Sequence, residues 1–155
     1  GRAPLVIVLP FTKFDIFGWS RLLRRLFRLD KCNVFPIGPT GAFLIVRRGA
    51  VYRWDKEGAL KLVLTLRQSR NFMHTDLCIG HREALFIGEY GANTGLKPVP
   101  IYRSDDQGRT WSIVYEIPAG RARHVHSINY DEFSGNIWVL TGDSDGECWI
   151  IEAND

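Results

Sequence analysis

Over most of its length the chain alternates apolar and polar residues with a period of two, the spacing of a half-buried β-strand. In the middle of the sequence the alternation divides into four short runs, at 74–79, 84–89, 99–103 and 111–117, separated by stretches rich in Gly, Asn, Asp and Ser. Period two puts Trp111, Ile113, Tyr115 and Ile117 on one face of the last run. His81-Arg82-Glu83 and Ser134-Gly135 are short enough to be hairpin turns between neighbouring runs, and Thr40-Gly41 holds the same place earlier in the chain. The first thirty residues follow other rules. Leu5-Val6-Ile7-Val8-Leu9 is a continuous apolar run and predicts a buried strand. From Arg21 to Leu29 the apolar residues fall at 22, 23, 26, 27 and 29 with arginines between them, which is helical spacing. Such a basic amphipathic helix either lies on a membrane surface or acidic partner, or docks its leucines on the protein and leaves the arginines in water. Its shortness favours docking.

The alternating runs recur. Val51-Tyr52-Arg53-Trp54-Asp55-Lys56-Glu57-Gly58 returns 50 residues on as Ile101-Tyr102-Arg103-Ser104-Asp105-Asp106-Gln107-Gly108. Phe43-Leu44-Ile45-Val46 returns 42 residues on as Leu85-Phe86-Ile87-Gly88, and 52 further as Ile137-Trp138-Val139-Leu140. The unequal spacings place an insertion of about eight residues in the second copy, near Gly91 to Pro98. Repeats of this length with four strands each are how propeller blades appear in a sequence. The third copy reaches its third strand at Ile150-Ile151-Glu152 and then stops at Asp155, inside the turn toward a fourth. The expected fold is therefore all-β: a partial β-propeller of about three four-stranded antiparallel blades, the last one incomplete, after a short N-terminal amphipathic helix. Residues 1–31 make the N-terminal strand and helix, and 32–155 the blades. A closed propeller needs more blades than these, so the expectation is a fragment of a larger propeller, completed by further blades of a parent chain or by another copy. The competing architecture is a small β-sandwich or meander.

One turn carries more information than the rest. Ser104-Asp105-Asp106-Gln107-Gly108-Arg109-Thr110-Trp111 has the form S-x-D-x-G-x-T-W. Ser104 and Asp106 can accept hydrogen bonds from the turn's own N–H groups, and Gly108 can take a left-handed conformation. Thr110 can bond back across the turn, and Trp111 anchors the next strand. The string resembles the Asp-box, or BNR repeat, of sialidase-like β-propellers. The resemblance covers eight residues and implies a fold more than a reaction. Sialidases of this fold act on terminal sialic acids with three arginines, a Tyr–Glu nucleophile pair and an Asp acid/base. The Asp-box also occurs in sorting receptors, glucanases and propellers without known activity. No arginine of this chain matches the family's early R-I-P-type motif, to which Gly1-Arg2-Ala3-Pro4 is a poor approximation. Glu89 and Tyr90, being neighbours on a strand, point to opposite faces.

Composition narrows this little. A net charge of +3 does not argue for nucleic acid. No apolar run approaches the ~18 residues of a membrane-crossing helix. Cys32, Cys78 and Cys148 are an odd, scattered set and read as free thiols. Nothing in the sequence fixes a compartment.

Chemistry is placed by topology. In an up-and-down meander the 1–2 and 3–4 turns share one edge, and the 2–3 loops and inter-repeat segments share the other. Asp106, in a 3–4 turn, belongs to the first edge and to structure. The opposite edge gathers Glu89, Tyr90 and Asn93, then Asp143, Asp145 and Glu147, with Arg70, His74, Arg121, Arg123, His124 and His126 from the inter-repeat segments. His74 and His126 are equivalent across repeats. The convergence predicts a polar ligand site at the mouth of a central channel, for a glycan or other anionic small molecule. Candidate ligand-binding residues are Arg70, His74, Glu89, Tyr90, Asn93, Arg123, His124, His126 and Asp143. Glu89 and Asp143 are the candidates for catalysis, as a carboxylate pair for glycoside hydrolysis; they can equally be ion-paired to the arginines. His124-x-His126 has the spacing of a metal pair, and Asp143-x-Asp145-x-Glu147 resembles the start of a calcium loop without its remaining ligands. Loop-bonded histidines and a solvated acidic turn are preferred, so no metal and no cofactor is expected. Two functions stay open: a sialidase-like glycan-acting or glycan-binding propeller, and a non-catalytic scaffold for protein interaction. A metal-assisted hydrolase or lyase is a third. Whether the parent is an enzyme is left open, and this segment alone is expected to be inactive. There is no P-loop, dinucleotide fingerprint, nucleophile elbow or H-E-x-x-H.

Overall fold

The computed structural model of the chain describes residues 7–11, 15–26, 32–39, 41–55, 60–70, 72 and 77–154. It divides into two compact units, Gly1–Cys32 and Asn33–Asp155. In the first, a 3-10 turn at Asp15–Trp19 precedes α1 (Arg21–Leu26), where the Leu23 N–H donates to Ser20 Oγ at 3.4 Å as an N-terminal cap. Positions 27–29 of the expected helix lie outside the described residues. Ile7 to Leu9 do not form the expected strand, and Val8 is exposed. An apolar run becomes a strand only where another strand satisfies its backbone groups, and no described strand pairs with this one. No described helix is long and apolar enough to cross a membrane.

The second unit is all-β, with three antiparallel sheets formed in chain order. β1 (Asn33–Ile37), β2 (Ala42–Arg47), β3 (Ala50–Trp54) and β4 (Lys61–Thr65) make the first sheet. β5 (Leu77–Ile79), β6 (Leu85–Gly88), β7 (Val99–Ser104) and β8 (Ser112–Ile117) make the second. β9 (Val125–Tyr130), β10 (Asn136–Thr141) and β11 (Ile150–Asn154) make the third. Each sheet is a meander in which every strand lies beside its chain neighbour. Only Arg48 and Gly49 join β2 to β3, both at positive φ (54° and 82°), as a two-residue hairpin requires. Residues 89–98 join β6 to β7, so the insertion sits where the repeat spacing placed it.

The sheets pack face to face. Phe35, Leu44, Val46 and Val51 of the first meet Leu85, Ile87 and Tyr102 of the second in one core. Phe86, Val99, Ile101 and Ile117 of the second meet Val125, Ile128, Ile137 and Val139 of the third in another. Alternation along β6 feeds both, and all four of its residues are buried. Each fully buried side chain of this size contributes roughly 1.5–3 kcal/mol.

Bulges modify the alternation. Ile101 pairs with Tyr115 and Tyr102 with Ile113, which leaves Val114 unopposed. The first sheet repeats this: Val51 pairs with Leu64 and Tyr52 with Leu62, which leaves Val63 unopposed. An extra residue reverses the facing of everything beyond it. Trp111 and Ile113 therefore pack on the first core, Ile117 on the second, and Tyr115 is exposed, so the single face expected for these four is split.

The turn between β7 and β8 forms the predicted hydrogen-bond set. Asp106 Oδ1 accepts from the N–H groups of Arg109 (2.9 Å) and Thr110 (2.8 Å) and from Ser104 Oγ (2.8 Å). Asp106 Oδ2 accepts from Thr110 Oγ1 at 2.7 Å, and the Gly108 N–H donates to Ser104 Oγ at 2.8 Å. Desolvation raises the Asp106 carboxyl, but the Thr110 N–H and hydroxyl, then Ser104 and Arg109, outweigh it and hold the pKa at about 2. Gly108 has φ +79°, and a Cβ there would lie 3.1 Å from Leu44 Cδ2 and 3.4 Å from Ile37 Cδ1, so the turn is seated on the first core. Buried Arg53 donates from Nε to Gln107 O at 2.9 Å, and Gln107 Nε2 donates to Glu83 Oε2 at 3.0 Å, which ties 3–4 and 1–2 turns together along this edge. The matching turn in the first sheet falls on 56–59, outside the described residues.

Candidate functional site

The opposite edge is organised by one close approach and one bulge. A Cβ on Gly88 would lie 2.6 Å from Val125 Cβ, so only glycine lets the start of β9 sit on the end of β6. The Val125 N–H then donates to Glu89 O at 2.9 Å. β9 pairs with β10 through a third bulge: Leu140 faces Ser127 and Thr141 faces Val125, which leaves His126 unopposed. A bulge re-aims the side chain it inserts.

His126 is thereby turned toward His124 and Asp143. The two Nε2 atoms are 3.2 Å apart. Asp143 Oδ2 lies 3.1 Å from His124 Nε2, and Oδ1 lies 3.1 Å from His126 Nε2. His124 Nδ1 is 2.7 Å from Gly91 O. A carbonyl only accepts, so Nδ1 carries a hydrogen and Nε2 is the nitrogen that faces the cluster. The Tyr90 ring lies against His124, centroids 4.2 Å apart. His124 is buried, whereas the His126 and Asp143 side chains are 34% and 43% exposed, so the cluster opens to solvent on one side. His124 and His126 come from β9 and the segment before it, Tyr90 from the β6–β7 loop, and Asp143 from the β10–β11 loop.

The other predicted residues lie around this cluster or do different work. Glu89 is fully buried and its carboxylate is occupied: Oε1 accepts from the Arg67 N–H (2.6 Å) and the Tyr102 hydroxyl (2.7 Å), Oε2 from the N–H groups of Gln68 (2.8 Å) and Ser69 (2.9 Å). Burial first, then the Glu89 hydrogen bond and charge, push the Tyr102 hydroxyl well above its ordinary range. Glu89 thus staples the segment between the first and second sheets and is not paired with Asp143. Asn93 bonds within its own loop, Nδ2 to Lys97 O and Oδ1 from the Lys97 N–H. Arg70 is exposed, and its carbonyl accepts from the Gly49 N–H at 2.6 Å. Arg123 Nε donates to Glu147 Oε1 at 3.1 Å, and Glu147 Oε2 is buried without a hydrogen-bond partner among the described residues. His74 lies outside the described residues. Trp149, which alternation alone does not single out, is partly exposed beneath the Arg121 guanidinium, 5.1 Å from its ring centroid.

The edge therefore offers two imidazoles, a carboxylate, aromatic rings and guanidiniums from separate loops. The sequence matches no protein-family model and no curated protein.

Proposed function

We propose that the second unit is an arc of an Asp-box β-propeller whose loop edge binds a polar ligand, with a glycan or other anionic small molecule the class its residues suit. One observation carries this: Tyr90, His124, His126 and Asp143 converge from three separate segments in a partly solvent-exposed spot. Hydroxyl-rich ligands both donate and accept, which imidazoles and a carboxylate match. Aromatic faces such as those of Tyr90 and Trp149 suit the C–H faces of sugar rings, and Arg121 and Arg123 supply positive charge. The propeller reading is supported by three stacked meanders, by the bulge repeated at Val63 and Val114, and by the Asp-box hydrogen bonds. Glycoside hydrolysis by a Glu89–Asp143 pair is not part of the proposal, because Glu89 already serves four donors.

A non-catalytic scaffold for protein interaction is the second reading. Phe133, fully exposed at the tip of the β9–β10 hairpin, favours it.

Saturation-transfer difference NMR with a panel of sialylated, uronic-acid and neutral oligosaccharides tests the ligand reading. Transfer to one acidic class is expected, abolished by His126→Ala and by Asp143→Asn with thermal midpoints unchanged. Silence across the panel, or transfer that survives both substitutions, refutes it.

A further inference from the structure

We propose that His124, His126 and Asp143 form a binding site for one divalent transition ion of the zinc type. The sequence alone led to the opposite expectation, because two histidines at i and i+2 are only half of a site. What the fold adds is the third donor, brought from the β10–β11 loop.

The donor atoms already have the separations an ion would impose. Zinc bonds to imidazole nitrogen and carboxylate oxygen are about 2.0–2.2 Å, which puts tetrahedral donors about 3.3 Å apart and adjacent octahedral ones about 2.9 Å apart. The observed separations are 3.2 Å between the two Nε2 atoms and 3.1 Å from each Nε2 to an oxygen of Asp143. The two contacts go to different oxygens of Asp143, so the carboxylate faces both imidazoles, and the three donor groups form a triangle whose ligand atoms all lie within 4.8 Å of one another. The cluster is not limited to exposed acidic side chains, since its centre is an imidazole that is 6% exposed. His124 also has the second hydrogen bond typical of a metal-binding histidine: Nδ1–H to Gly91 O, which leaves Nε2 as the nitrogen that faces the triangle. The bulge at His126 supplies the other imidazole at a place where regular pairing would have left it in register with β10.

Donor chemistry selects the ion. Two imidazoles and one carboxylate suit zinc and its first-row neighbours, whereas calcium and magnesium prefer all-oxygen shells. Three protein donors leave at least one coordination position, and the exposed sides of His126 and Asp143 put it toward solvent. A small oxygen-bearing ligand can reach it there. The site goes beyond the glycan reading and does not depend on it, because an ion can be bound whether or not a sugar is.

The test is calorimetric titration of the chelator-dialysed 155-residue chain with zinc chloride, repeated with cobalt(II) to read coordination from its visible absorption. His126→Gln and Asp143→Asn are the informative variants because both side chains are partly exposed. Cys148→Ser controls for binding by the exposed thiol. Circular dichroism without metal confirms folding, and if His126→Gln fails to fold, Asp143→Asn provides the same readout. The expected result is one ion per chain in wild type and Cys148→Ser, weakened at least about tenfold in the two site variants. The cobalt adduct should show no thiolate charge-transfer band. Substoichiometric binding, unchanged binding in a folded site variant, or loss of binding in Cys148→Ser overturns the proposal. Oligosaccharide binding that persists in the chelator-treated protein separates this site's failure from that of the glycan reading.

Discussion

Replacing Glu89 by glutamine distinguishes a staple from a catalytic carboxylate. The side chain keeps its shape but loses its charge, and one of its four-donor oxygens becomes an NH2 group. If the NH2 takes the Oε2 position, it opposes the N–H groups of Gln68 and Ser69. If it takes the Oε1 position, the Tyr102 hydroxyl can rotate to accept from it, but the Arg67 N–H is left facing another donor. The second pose is the better one. It still orphans one backbone donor, at about 1–3 kcal/mol, and weakens the remaining bonds from charge-assisted to neutral strength, at about 1 kcal/mol more. The expected loss is therefore about 2–4 kcal/mol, and Glu89→Ala should lose more. Urea unfolding followed by tryptophan fluorescence would show a lower midpoint with an unchanged slope. Full stability within about 0.5 kcal/mol of wild type, together with lost ligand binding, would refute the structural assignment.

Two further substitutions probe the edges. Asp106 has a folded pKa of about 2 against an ordinary 3.8, so its ionised form contributes stability that is complete above pH ~4 and lost as pH falls toward 2. The full shift corresponds to about 2.4 kcal/mol, reduced by partial solvent exposure to about 1–2 kcal/mol. Asp106→Asn should therefore be less stable than wild type near neutral pH, with the gap in urea midpoint closing between pH ~4 and ~2; a gap independent of pH would contradict this. Gly88→Ala should cost about 1–3 kcal/mol by forcing Val125 outward, and should displace the imidazole NMR signals of His124 and His126. Signals that stay in place would show that the close approach of β6 and β9 does not position the cluster.

Much of this fold is legible in the sequence, because each strand lies beside its chain neighbour and the pattern repeats. The runs around Leu85–Gly88 and Ile137–Leu140 became β6 and β10, each the second strand of its sheet as β2 is of the first, and the unequal spacings located the long β6–β7 loop. The partition of polar residues between edges followed from meander geometry, which places Asp106 on one side and His124, His126 and Asp143 on the other. The bulges were not legible. Period two runs through Val114 without interruption in the sequence, yet the chain turns over there because β7 supplies one partner fewer. Nor was the work of Glu89 legible, since a glutamate beside a glycine looks the same whether it meets substrate or three backbone amides. The N-terminal apolar run at 5–9 shows the converse: composition without a pairing edge gives no strand among its described residues.

The burial of β6 between two cores has a consequence for how the unit assembles. Leu85 and Ile87 serve one layer and Phe86 the other, so each outer sheet leans on the second, and among the described residues the two outer sheets share no core cluster. Stability in such a stack is close to a sum of nearest-neighbour couplings, as in repeat proteins. Shortening the chain from either end removes one coupling and leaves the other whole. Order can spread outward from the middle sheet in both directions, and the amides of β6 should be the last in the unit to exchange with solvent.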